Sequence, residues 1–78
     1  MDNRFKEALI GIADEGELSP EYLLGFRRGL RRGFYGTDAV SDVEHDAWLE
    51  LAKEGQAKYA ERSRGYADGI HVASETAA

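Results

Sequence analysis

Seventy-eight residues carry ten Lys plus Arg against fifteen Asp plus Glu, with no cysteine, one proline and nine glycines. That length holds one small domain, and the lack of cysteine excludes a disulfide scaffold, a thiolate zinc site and a cysteine nucleophile. The formal net charge of -5 argues against a general nucleic-acid binder, which needs a basic excess to displace phosphate counterions, and no apolar run approaches the length of a membrane span.

The opening Met1-Asp2-Asn3-Arg4-Phe5 lacks the apolar stretch of a signal peptide, so the expectation is a soluble cytoplasmic protein. Buried area and chain entropy nearly cancel at this size, which favours a helical bundle or an oligomer. Phe5, Leu9, Ile12 and Ala13 fall on one helical face and predict a helix over residues 2–14, with Asp2 or Asn3 as its cap and Gly16 past its end. Ser19-Pro20-Glu21 then supplies a cap, a proline that forfeits only an orphan amide, and an acid at the positive end of the helix dipole. The helix it starts runs to about Tyr35, with Tyr22, Phe26, Leu30 and Phe34 as an apolar ridge, and Gly36-Thr37-Asp38 turns the chain.

Ser41-Asp42-Val43-Glu44 matches the capping box and opens the next helix. Val43, Ala47 and Leu51 form its expected inner stripe, with Trp48 and Ala52 alongside. Gly55 either breaks the helix or stands in it at a cost of about 1 kcal/mol against alanine. A last helix from Ala57 to about Asp68 places Tyr59, Ser63, Tyr66 and Ile70 on one face, with Glu61–Arg64 and Arg64–Asp68 as surface ion pairs. The small, polar residues 72–78 read as a disordered tail to a single domain over residues 1–71. No alternating strand pattern competes. The fold class is all-α, a small bundle of three to four helices with short loops.

Gly25, Gly29 and Gly33 recur every four residues, each followed by a large residue, in Gly25-Phe26-Arg27-Arg28-Gly29-Leu30-Arg31-Arg32-Gly33-Phe34. Three glycines in one helix cost about 2–3 kcal/mol relative to alanine, so something must offset them. Stacked on one face they make a groove without side chains, open to close approach by another backbone. Gly65-Tyr66-Ala67-Asp68-Gly69-Ile70 repeats the pattern. The two helices are expected to cross at this groove, within the chain or across a homodimer. The spacing is that of membrane GxxxG motifs, but the intervening arginines oppose insertion in lipid.

Charge is segregated. Arg27, Arg28, Arg31 and Arg32 are the only charged residues between Tyr22 and Gly36, whereas Asp42, Glu44, Asp46, Glu50 and Glu54 face one lysine, Lys53. Asp42, Asp46 and Glu50 share one helical row, continued by Glu54. This stripe is either a solvated face, a match to the arginine helix, or an imitation of spaced phosphates that enters a basic channel of another protein. The arginines either pair with it or clamp a phosphate or partner carboxylate in bidentate fashion.

Catalytic signals are absent. Asp42-x-x-His45 is half of the paired motif used by bundle metal sites, and the only other histidine is His71. His45 reads as an exposed residue beside Asp46. No nucleophile elbow or phosphate loop occurs, and a bundle this small leaves little room for a substrate. The expectation is a non-enzyme without metal or cofactor.

Gly25-Phe26-Arg27-Arg28-Gly29-Leu30, Gly65-Tyr66-Ala67-Asp68-Gly69 and the cysteine-free helical design resemble small acidic proteins encoded by bacteriophages and prophages. That resemblance implies a host-takeover or anti-defence protein, anti-CRISPR proteins included, acting by occlusion of a larger complex. The sequence therefore points first to a non-catalytic inhibitor of a bacterial nucleoprotein complex. It binds through Asp42, Asp46, Glu50 and Glu54 or through Arg27, Arg28, Arg31 and Arg32, without direct nucleic-acid binding and without a membrane. The alternatives are a homodimeric adaptor joined at Gly25, Gly29 and Gly33, and a small nucleic-acid-binding regulator using the arginine helix.

Overall fold

Ser19 accepts a hydrogen bond from the Tyr22 amide at 3.1 Å, and Pro20 stands in the first turn, so helix α1 begins where the sequence predicts and spans Pro20–Tyr35. The computed structural model describes residues 19–77; the helix expected over residues 2–14 lies outside them. Gly36 ends α1 with φ 71°, and its amide closes on the Arg32 carbonyl. This is a left-handed conformation that a side chain disfavours.

A 3-10 turn over Gly36–Asp38 leads past Val40, which is fully buried, to α2, Asp42–Glu50. Ser41 caps α2 by accepting from the Glu44 amide at 3.2 Å. Only half of the expected capping box forms: the Glu44 side chain turns away to Arg28 and Trp48. A second 3-10 turn, Leu51–Lys53, follows, and Gly55 at φ 73° breaks the chain direction before α3, Ala57–Ala77. Three α-helices and no strand among the described residues give an all-α fold, at the lower end of the helix count read from the sequence.

The glycine ladder explains how α1 and α3 meet. A Cβ at Gly25 would strike the Arg62 carbonyl, at Gly29 the Tyr66 carbonyl, and at Gly33 the Ala73 methyl. Reciprocally, a Cβ at Gly65 would strike the Tyr22 carbonyl and at Gly69 the Phe26 carbonyl. Contacts advance along both helices in the same direction, so α1 and α3 lie parallel, backbone against backbone. The pairing offsets the poor helix propensity of glycine with dispersion and Cα–H to carbonyl contact along the crossing. The groove is thus filled by α3 of the same chain.

Parallel neighbours need a return connection, and α2 with its flanking turns supplies it. The core comprises Tyr22, Phe26, Leu30, Val40, Tyr66 and Ala73, with Ser63 buried among them and Phe34 and Val72 packed at its edge. Ser63 Oγ donates to the Leu49 carbonyl at 3.4 Å, tying α3 to the end of α2.

Two expectations need correction here. Residues 72–77 are not a tail: α3 continues through Ala77, and Ala73 is fully buried because its methyl occupies the space left by Gly33. The predicted Arg64–Asp68 pair does not form. Asp68 accepts from the Tyr22 hydroxyl, while Arg64 pairs with Glu61 and lies over the Tyr22 ring at 5.2 Å.

Candidate functional site

The inner side of α2 is polar. Glu44 accepts from Arg28 at 2.6 and 2.9 Å and from the Trp48 indole N–H at 2.9 Å. The Arg28 fork also reaches the Ala39 carbonyl at 3.3 Å. These bonds hold the Glu44 carboxyl down to about 2, with the Arg28 guanidinium the larger cause and the Trp48 indole the next. The same hydrogen bonding raises Arg28 above its ordinary value.

Trp48 stacks on Tyr66 with centroids 5.5 Å apart and ring planes within 3°. His45 Nδ1 lies 2.7 Å from the Tyr66 hydroxyl, and its half-buried ring leans on the Tyr66 ring. Burial pushes the Tyr66 hydroxyl up in pKa. His45 is therefore a packed partner of α3 and not the exposed residue the sequence suggested. Its spacing with Trp48 (i, i+3) placed both on one helical face; that signal was overshadowed by Val43, Ala47 and Leu51.

Those three residues do not form the inner stripe. Val43 is 82% exposed, Ala47 is exposed, Leu51 is half-buried, and α2 buries no residue fully. The Arg28–Glu44 bond and the Trp48–Tyr66 stack fix the helix rotation, which turns Val43 and Ala47 to solvent.

The two charged surfaces are partly spent on each other. Besides Arg28 and Glu44, Arg32 binds Asp42 at 2.8 Å and the Val40 carbonyl at 3.1 Å. Exposed and half-exposed pairs of this kind contribute about 1 kcal/mol or less, but they decide which charges stay outward. Asp46 and Glu54 are exposed and make no hydrogen bond or ion pair among the described residues. Glu50 meets only Lys53, at 3.2 Å and exposed. Of the arginines, Arg27 is exposed and Arg31 half-buried; with Leu24 and Arg28 they line a recess of about 200 Å³.

A second recess, of about 230 Å³, lies between α2 and α3 and is lined by Ala47, Trp48, Leu51 and Arg62. Arg62 is anchored there by Glu21 and stands over the Tyr59 ring at 5.5 Å.

Among the described residues no group of three or more His, Asp or Glu side chains is placed to hold a metal ion, and no helix is long and apolar enough to cross a membrane. No protein-family model, curated protein or solved structure matches the chain.

Proposed function

We propose that the protein is a non-catalytic inhibitor that seats the acidic outer face of α2 on the basic nucleic-acid channel of a larger complex. The observation that carries this reading is the division of charge on α2. Glu44 and Asp42 are held by Arg28 and Arg32, while Asp46 and Glu50 on the helix, and Glu54 beyond the turn that follows it, are exposed without an arginine partner. Carboxylates on successive turns are spaced to meet cations that otherwise bind phosphates.

The arginine-clamp and nucleic-acid versions lose support from the same division, because Arg28 and Arg32 are already engaged. The resemblance to small phage inhibitors implies a bacterial, defence-type target.

Affinity capture from nuclease-treated bacterial lysate tests the reading, followed by nucleic-acid displacement from the captured complex. The wild type displaces nucleic acid, Arg27→Ala does so equally, and Asp46→Lys combined with Glu50→Lys does not. Displacement by the charge-reversed variant would reject the acidic face as the binding surface.

A further inference from the structure

The outer face of α2 carries more than charge. Val43 and Ala47 stand one turn apart, both exposed, and lead to Leu51 and the recess formed with Trp48 and Arg62. Asp46 and Glu50 flank them on the other side, one helical turn apart. A surface helix ordinarily turns its apolar residues to the core; α2 turns Trp48 inward but leaves Val43 and Ala47 exposed, with the carboxylates of Asp46 and Glu50 along one side of them.

Resting on the acidic-face reading above, we propose that this surface docks a cationic amphipathic helix of the partner protein, with one apolar side chain of that helix entering the Trp48 recess. Three features select this occupant. First, at about 230 Å³ the recess lies below the roughly 300–1,000 Å³ of pockets for drug-sized ligands and has room for one apolar side chain. Second, exposed acids repel nucleic acid and anionic lipid and attract Lys and Arg. They also oppose a second copy of this face. Third, Val43 and Ala47 at i, i+4 with the recess one turn further form a stripe along α2, against which the apolar anchors of a docked helix can pack. The recess is also preformed. Trp48 is fixed by its stack on Tyr66 and its bond to Glu44, and Arg62 is fixed by Glu21, so little side-chain freedom is lost on docking.

Trp48 is the only tryptophan of the chain, so its fluorescence reports on the recess. The probe is a tryptophan-free Leu/Lys peptide with leucines at helical spacing, titrated beside a shuffled peptide of the same composition. The patterned peptide is expected to shift Trp48 emission and to bind about tenfold tighter than the shuffled one. Val43→Ser, at an exposed position where folding is unaffected, weakens it about fivefold. Asp46→Lys with Glu50→Lys abolishes binding. Equal binding of both peptides, lost on charge reversal, would overturn the helix-docking proposal and leave the acidic-face reading standing. Absence of binding by either peptide would overturn both.

Discussion

The α-carbon of Gly29 faces the main-chain carbonyl of Tyr66 so closely that a methyl group there would overlap both the oxygen and the carbon of that carbonyl. Tyr66 is also the residue on which His45 and Trp48 of α2 rest. One contact between α1 and α3 therefore sets the position of the residue that carries α2. The outward rotation of α2, and with it the candidate docking face, depends on a glycine with no side chain of its own.

Gly29→Ala tests this dependence by sign. In an exposed helix interior the change would stabilise by about 1 kcal/mol through helix propensity. At this crossing overpacking against backbone costs about 1–3 kcal/mol, so the net effect is expected to be destabilising. Urea denaturation measures it; a rise in midpoint would show that the helices do not cross at Gly29.

Gly33 differs because its obstacle is a side chain. A Cβ there meets the Ala73 methyl, with the Ile70 backbone at an ordinary 3.5 Å. Gly33→Ala alone is expected to destabilise, and Gly33→Ala with Ala73→Gly to recover most of the loss, because the methyl has only changed helices. A double-mutant cycle gives the coupling. Strict additivity would mean that the two residues do not touch.

Deletion of residues 72–78 gives a third test. With Ala73 buried and Val72 at the core edge, their loss is expected to lower stability by about 1–2 kcal/mol, seen as a lower thermal midpoint. An unchanged midpoint would restore the view of this segment as a tail.

The Glu44 carboxyl predicts how stability varies with pH. Its folded value, about 2, lies below the ordinary 4.5. The stability it contributes is thus fully present above 4.5 and is lost as pH falls from there through about 2. Because both side chains of the pair are about one-third exposed, solvent screening limits the contribution to about 1 kcal/mol or less. Glu44→Gln should be less stable than wild type near neutral pH, by about that amount, and the difference should close on acidification to about pH 2. A difference that persisted at low pH would place its origin in packing and not in charge.

Local chemistry made much of the fold legible. Ser19-Pro20 and Ser41 start helices by satisfying adjacent amides, and Gly36 ends α1 by its own backbone freedom. The two glycine series could be matched because both repeat every four residues. Their parallel direction was hidden, since it depends on which end of α3 the return connection reaches. The rotation of α2 was hidden as well: Val43, Ala47 and Leu51 give the more apolar stripe, but the inner face is chosen by Arg28 and Tyr66, distant in sequence. The extension of α3 was hidden because the burial of Ala73 depends on the absence of a side chain at Gly33. Of the site, the row of Asp42, Asp46 and Glu50 was visible from its spacing, whereas Glu54 lies past the end of α2. Which acids Arg28 and Arg32 would engage, and that an apolar strip would lie beside the rest, required the packed structure.

The proposed inhibitor binds a basic surface of a larger complex through Asp46, Glu50 and Glu54. The most direct test is the affinity of the captured partner for wild type and for the Asp46→Lys/Glu50→Lys variant, measured across a salt series. Wild-type affinity is expected to fall as salt rises, and charge reversal to weaken binding by at least about tenfold at low salt. Equal affinity of the two proteins at every salt concentration would contradict this mode of binding.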